Sequence, residues 1–189
     1  MAILEVLKFP DPRLRRVSEP VAVVNDEIRR LAEDMLETMY DEPGIGLAAP
    51  QVGYAIRLVV VDTDWTEEDT DRKPTVLINP VLRTSSGHLT WSEGCLSVPD
   101  FTCDVERAER VELYASGLGG EPIVEAVEGL RAVCFQHELD HLDGVLFIDR
   151  LSLLKRNLYL QKRKKLHRNE ELAWSSAGER PSAPPVTRP

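Results

Sequence analysis

The chain has 189 residues, of which 42% are hydrophobic and 29% are charged. This length is typical of one domain with a short extension, and the composition is ordinary for a globular protein. No apolar run approaches the roughly 20 residues that span a bilayer, and residues 1–10 lack the features of a secretory signal. The sequence therefore excludes a membrane-spanning helix and predicts a cytoplasmic protein with no membrane partner.

The net charge of −9 conceals a difference between two parts of the chain. Residues 1–150 have 14 Lys/Arg and 29 Asp/Glu, a net charge of −15, whereas residues 151–189 have 9 and 3, a net charge of +6. The acidic residues 1–150 are unsuited to binding nucleic acid, so we expect no sequence-specific nucleic-acid partner. The basic C-terminal part can bind a polyanion.

The first predicted element is a helix. Apolar residues follow helical spacing over residues 28–39, and Asn25 or Asp26 is a suitable N-cap. Pro43 and Gly44 should end this helix.

Several short strands should follow. β-branched or alternating patterns predict strands over residues 56–61, 76–78 and 105–115, and another after a turn at residues 117–122. The second of these should end at Asn79-Pro80. The acidic segment 62–73 is typical of a surface loop.

Helical spacing returns over residues 128–141, and a last helix is predicted over residues 151–166. From residue 169 the chain is polar and rich in Pro, Ser and Ala, which predicts a disordered tail. We therefore expect one domain over residues 1–168, including the basic C-terminal helix, and a tail over 169–189. Strands without regular strand–helix alternation indicate an α+β fold, with antiparallel strands packed around the central helix 128–141.

This central helix contains a metal-binding pattern. His137-Glu138-Leu139-Asp140-His141 has the form H-E-x-x-H, which places two imidazoles on one helical face about 6 Å apart. Two such imidazoles can hold one divalent ion, and the glutamate can then act as general base on a water at the metal. The alternative is a helix with two ordinary histidines. We favour the metal site, because buried histidines beside a glutamate need a partner.

A catalytic site of this kind needs a third protein ligand. The metzincin pattern would continue with a histidine six residues after His141, but that position is Phe147. Cys134 lies on the same helix, roughly 10 Å along its axis from His141, so joint ligation would be strained. Cys95 follows Gly94 in a short segment that can bring a thiolate from outside the helix. Residue chemistry favours Cys95 and leaves Cys103 open.

The glycine-rich segment 44–53 has an alternative interpretation. Its Gly44-x-Gly46-x-x-Ala49 pattern is similar to a dinucleotide-binding fingerprint. That fingerprint follows a strand and opens a helix, whereas this segment follows a helix and precedes a strand. The cofactor interpretation is therefore disfavoured.

Three segments together resemble the signature motifs of the peptide deformylase family. They have the family's order and spacing: residues 44–51 (Gly-Ile-Gly-Leu-Ala-Ala-Pro-Gln), residues 93–97 (Glu-Gly-Cys-Leu-Ser) and residues 136–144, which include the H-E-x-x-H pattern. Residues 9–15 also resemble the N-terminal part of the family. The resemblance extends over about residues 3 to 165.

The resemblance implies hydrolysis of the N-formyl group from the initiator methionine of nascent polypeptides. Cys95, His137 and His141 would bind the metal with a water in the fourth position, and Glu138 would act as general base and acid. Fe(2+) is the expected ion in the cell, with Zn(2+), Ni(2+) or Co(2+) in purified protein.

The resemblance also implies roles in substrate binding. Gln51 and the backbone N–H of Leu96 would stabilise the formyl oxyanion. The segment Gly44, Ile45 and Gly46 would pair with the substrate main chain, and Cys134 would line the methionine pocket, although a core role for it is equally open. Seven Lys/Arg between residues 155 and 168 resemble a ribosome-binding element.

Two rival functions remain from the sequence. A zincin-like endopeptidase would use the same H-E-x-x-H pattern, but it normally takes its third ligand from downstream of the helix. A metal-stabilised binding module would have no need of Glu138.

Overall fold

A computed structural model of the protein describes residues 2–66 and 72–177, with side chains up to residue 165 in the last helix. The chain divides into two compact units, residues 1–150 and residues 151–189. Among the described residues, the first unit contains the strands and two α-helices, and the second contains the last α-helix. No helix within the described ranges is both long enough and apolar enough to cross a bilayer.

Within the described ranges, seven strands form two antiparallel sheets. They are β1 (Gly46–Ala48), β2 (Leu58–Val61), β3 (Thr75–Ser86), β4 (Leu89–Cys95), β5 (Val98–Arg107), β6 (Arg110–Ser116) and β7 (Pro122–Glu128). The larger sheet has the order β1-β2-β3-β6-β7, and β4 and β5 form a two-stranded hairpin. Every pair of adjacent strands is antiparallel, which confirms the α+β prediction.

The first helix, α1 (Asp26–Asp41), begins and ends where the sequence predicted. The side chain of Asn25 accepts a hydrogen bond from the N–H of Ile28 at 3.0 Å, so Asn25 is the N-cap. Its buried face includes Met35 and Met39, which pack into the core beside β2.

The second helix, α2 (Gly129–Leu142), is the predicted central helix. Its residues from Ala132 to Leu142 are buried, except for Gln136, which is half-buried. It packs against β1, β2, β6 and β7. Burial on several sides fits the continuous apolar run at residues 132–135. The H-E-x-x-H histidines therefore lie inside the first unit.

The third strand is longer than predicted. The sequence ended it at Asn79-Pro80, but β3 continues to Ser86 with a register shift between Ile78 and Val81. Asn79 adopts a φ of +51°, and its side-chain amide bonds both the N–H and the C=O of Val21. A bulge thus absorbs the proline that would otherwise interrupt the ladder.

The single strand predicted over residues 105–115 is wrong, because this segment contains the end of β5 and the start of β6. The strand is interrupted at Ala108, whose N–H donates to the side-chain amide of Gln136 and whose C=O accepts a hydrogen bond from it. The buried positions stay in the same two-residue phase on both sides of the break, with Val105 and Arg107 before it and Val111 and Leu113 after it, so the sequence pattern did not reveal it.

The last helix, α3 (Leu153–Ala177), extends past residue 166 and past the predicted boundary at 168/169. No proline or glycine interrupts the sequence before Gly178, and Glu170, Glu171, Leu172 and Ala173 include strong helix formers. The remainder of the predicted tail, residues 178–189, lies outside the described residues.

Candidate metal centre and active site

The structure brings together one sulfur and two imidazoles. Cys95, His137 and His141 each offer a ligand atom, and these atoms all lie within 4.8 Å of one another. Sγ of Cys95 is 3.2 Å from Nε2 of His141. Neither Cys103 nor Cys134 belongs to this group. Of the two cysteines that residue chemistry had considered for this role, Cys95 lies beside the histidines and Cys103 does not.

Cys95 reaches the histidines because of the β4–β5 hairpin. β4 ends at Cys95, which pairs with Val98 across a turn of two residues, and the register shifts between Glu93 and Cys95. A bulge of this kind redirects a side chain at the end of a strand. The sequence had indicated a short rigid element here, but it had not indicated a hairpin.

A buried carboxylate forms a hydrogen bond with Nδ1 of His137. Nδ1 of His137 lies 2.8 Å from Oε2 of Glu93, and the guanidinium of Arg107 donates to both oxygens of Glu93, at 2.6 and 2.8 Å. Burial raises the pKa of Glu93, but the hydrogen bonds from Arg107 and His137 outweigh it and lower this pKa to about 2. Glu93 is therefore ionised and fixes Nδ1 of His137 as the donor.

Arg107 also extends this network away from His137. Its Nη1 donates to Oδ2 of Asp140 at 2.6 Å, and Asp140 in turn accepts from Nε of Arg150 at 2.5 Å and from Nη2 of the same residue. Sequence reasoning missed Arg107, Asp140 and Arg150. The available signal was that Glu93 and Asp140 both lie inside the motifs that carry the ligands.

The surroundings of Glu138 are the opposite of those of Glu93. It is buried, and its Oε2 has no hydrogen-bond partner among the described residues. Burial raises the pKa of Glu138 to about 7. A Cβ at Gly46 would lie 2.6 Å from Oε1 of Glu138, so only glycine allows β1 to pass this carboxylate so closely.

Gln51 is oriented by its own backbone neighbourhood. Its Oε1 accepts from the N–H of Ala48 at 2.8 Å, which directs Nε2 toward Oγ of Ser97 at 3.2 Å and Sγ of Cys95 at 3.7 Å. The amide donor of Gln51 therefore faces the ligand group.

A segment near the start of the chain supports these residues. The N–H of Leu7 donates to the C=O of Gln51 at 2.7 Å, and the N–H of Phe9 donates to the C=O of Ser97 at 2.8 Å. Nζ of Lys8 donates to the C=O of Leu96 at 2.9 Å. Residues 7–9 thus connect the 3₁₀ turn Ala49–Val52, which contains Gln51, to the β4–β5 turn.

A cleft of about 550 Å³ opens onto these groups. Its walls include all the predicted substrate-binding residues, Gly44, Ile45, Gly46 and Cys134, together with Gln51, Cys95, Leu96, His137 and Glu138. Sγ of Cys134 lies 3.6 Å from the C=O of Ile45, and burial raises its pKa. Cys134 is therefore a neutral thiol in the cleft wall.

Known proteins match this chain over most of its length. The sequence profile described as polypeptide deformylase matches residues 3–157. A peptide deformylase from Alkalilimnicola ehrlichii is 57% identical over 168 residues, which are 89% of this chain and 93% of that protein.

Solved structures agree. The crystal structure of a peptide deformylase from Legionella pneumophila has a TM-score of 0.82 and 42% identity, covering 90% of this chain and 98% of its own. A peptide deformylase from Synechococcus elongatus in complex with actinonin has a TM-score of 0.80 and 44% identity, covering 85% and 88%.

Fold and relatives together define a metal-dependent hydrolase. The chain belongs to the polypeptide deformylase family, and it removes the N-formyl group from nascent polypeptides. The resemblance seen in the three sequence motifs is confirmed.

Proposed function

We propose that Cys95, His137 and His141 hold one divalent metal ion and that Glu138 moves the proton during hydrolysis of the formyl amide. The observation that best supports this assignment is the convergence of a sulfur and two imidazole nitrogens within 4.8 Å of one another. The buried carboxylate of Glu138 follows His137 directly on α2.

The three side chains fit a transition-metal ion. A thiolate and two imidazoles suit Fe(2+), Zn(2+), Ni(2+) or Co(2+), and Glu93 occupies Nδ1 of His137 so that Nε2 stays available. We assign Fe(2+) in the cell and accept the other three ions in purified protein. When bound, such an ion supplies a water of lowered pKa and polarises the formyl carbonyl.

Glu138 is suited to carry a proton in both directions. Its pKa of about 7 lies near the working pH of a general base. Its carboxylate takes a proton from the attacking water and then delivers it to the nitrogen of the departing amine. The products are formate and a peptide with a free amino terminus.

Two neutral donors stabilise the negative charge on the formyl oxygen. Nε2 of Gln51 faces the ligand group because Ala48 holds the other end of the amide. The backbone N–H of Leu96 follows Cys95 directly and is the second donor. Each donor of this kind lowers a barrier by about 3 kcal/mol, and neither competes for the ion.

The substrate is a formyl-methionyl nascent peptide. β1 lies at one edge of the larger sheet, so the backbone of Gly44, Ile45 and Gly46 can pair with an extended peptide. The methionine side chain enters the cleft beside Cys134, whose neutral thiol contributes an apolar wall.

Formate release from formyl-Met-Ala-Ser tests the assignment. Glu138→Gln should lower turnover by about 10² to 10⁴-fold, since it removes the proton carrier. Cys95→Ala should lower turnover together with the amount of bound metal. Glu106→Gln, which changes an exposed glutamate of β5, and Cys103→Ala, which changes the other half-buried cysteine, are matched controls and should retain both properties.

The same assay separates the rival functions. Internal cleavage of unformylated peptides would indicate an endopeptidase. Full activity in Glu138→Gln would contradict the proposed proton carrier and favour a binding module.

We further propose that the enzyme works in the cytoplasm and binds the ribosome through α3. Seven Lys/Arg between residues 155 and 168, without an acid, support an electrostatic contact with a polyanion. The triple change of Lys162, Lys164 and Lys165 to Gln should weaken cosedimentation with ribosomes and reduce its salt dependence. Turnover of formyl-Met-Ala-Ser should stay unchanged, and its loss would mean that α3 has a structural role instead.

A further inference from the structure

A series of charged side chains leads away from the metal centre. It runs from His137 through Glu93, Arg107 and Asp140 to Arg150, with donor–acceptor distances of 2.5 to 2.8 Å along the main path. The side chains of Arg107 and Glu93 are 1% and 3% exposed, and that of Arg150 is 44% exposed. The series therefore connects a buried imidazole with the surface.

The two ends of this series line different clefts. Glu93 and His137 line the catalytic cleft. Asp140 and Arg150 line a second cleft of about 440 Å³, whose walls also include Arg57. Arg57 pairs with Asp143 at 2.8 Å, and its bonds do not include any member of the series.

Arg107 is shared between two carboxylates. Its Nε and Nη2 bond Glu93, while its Nη1 bonds Asp140. With Arg150 present, two guanidiniums balance two carboxylates. Without Arg150, Asp140 would depend on Arg107 alone, which would draw the guanidinium away from Glu93. Glu93 would then lose the partner that fixes its bond to His137.

The turn that carries Arg150 also touches His137 directly. Residues Phe147–Arg150 form one 3₁₀ turn, and the ring of Phe147 stacks on the ring of His137 with 6.1 Å between centroids and 28° between planes. Through Phe147 this turn therefore contacts the face of the His137 ring. Through Arg150 it also anchors the series of side chains that bonds Nδ1 of His137.

We propose that Arg150 is a positioning residue for the metal centre, which acts on the orientation of His137 through Asp140, Arg107 and Glu93. This inference rests on the proposed role of His137 as a metal ligand. Groups that orient a ligating histidine change metal affinity by about 10 to 100-fold. Because Arg150 acts through three intervening residues, we expect the lower end of this range.

Cobalt affinity tests the inference. Co(2+) is titrated into metal-depleted full-length protein against a competing chelator, with absorption of the cobalt–thiolate complex as the readout. Arg150→Gln should weaken Co(2+) binding by about tenfold. Arg150→Lys should restore part of this loss, since a lysine keeps the charge but not the two-pronged contact. Arg57→Gln removes an ion-paired arginine from the same cleft and should bind Co(2+) like the parent.

Unchanged affinity in Arg150→Gln would overturn the inference, and so would an equal loss in Arg57→Gln, because that result would indicate general destabilisation. His137→Ala separates the two levels of the argument. If His137→Ala loses Co(2+) binding while Arg150→Gln retains it, only the positioning role fails. If His137→Ala binds Co(2+) like the parent, the proposed metal site fails.

Discussion

Two buried carboxylates lie close to His137 in opposite surroundings. Behind the imidazole, Glu93 is bonded by Arg107 and His137, and its pKa is lowered to about 2. In the cleft, Oε2 of Glu138 has no hydrogen-bond partner within the described part of the chain, and burial raises its pKa to about 7. Hydrogen-bond partners, rather than depth of burial, thus distinguish the ionised Glu93 from Glu138, the proposed proton carrier.

The largest contrast should appear in stability. Glu93→Gln leaves the buried Arg107 short of a counter-charge and should lower the free energy of unfolding by about 3 to 5 kcal/mol. Glu138→Gln removes an unpaired buried acid and should change stability by less than about 0.5 kcal/mol, or increase it. Urea unfolding of the metal-depleted proteins measures both values. Similar losses of unfolding free energy in the two variants would contradict the distinction between Glu93 and Glu138.

Low pH should remove the contribution of Glu93 to the free energy of unfolding. Its folded-state pKa is lowered below the ordinary value of 4.5, so its stabilisation is present above about pH 4.5 and is lost as the pH falls through 2. The stability difference between the parent and Glu93→Gln should therefore shrink by about 3 kcal/mol between pH 5 and pH 2. Urea midpoints measured across this range with chelator present give the difference. A difference independent of pH would contradict the buried ion pair.

A single added methyl group should disturb the surroundings of Glu138 in the cleft. In Gly46→Ala the new Cβ would lie 2.6 Å from Oε1 of Glu138 and 2.9 Å from Sγ of Cys134. Overpacking of this kind costs about 1 to 3 kcal/mol, and displacement of Glu138 should lower formate release. The double variant Gly46→Ala with Cys134→Ala identifies the displaced group. Recovery of full activity would show that the thiol, not Glu138, had moved.

The chemistry of α2 was predictable because its information is local. His137, Glu138 and His141 occupy fixed positions on one helix, and helical geometry alone places them on one face. The proposed third ligand was harder to predict from the sequence. Residue chemistry favoured Cys95 but left Cys103 open, because the position of Cys95 depends on a bulge in β4 that brings together residues distant along the chain.

The anchoring network was not predictable for a related reason. Arg107 ends an alternating strand in which charged side chains are expected to face solvent, yet its side chain is 1% exposed. Its burial depends on Glu93 and Asp140, which approach it from β4 and α2. The break between β5 and β6 likewise depends on a side chain of α2, Gln136, and leaves no trace in the local pattern.

The contacts of residues 7–9 have a consequence for how the enzyme is made. The N–H groups of Leu7 and Phe9 donate to Gln51 and Ser97, and the histidines of α2 follow some forty residues after Ser97. Residues 7–9 leave the ribosome before these partners, so both contacts can form only after about half of the chain, up to Ser97, has emerged. The enzyme that trims the beginnings of other proteins thus gains its activity late in its own synthesis.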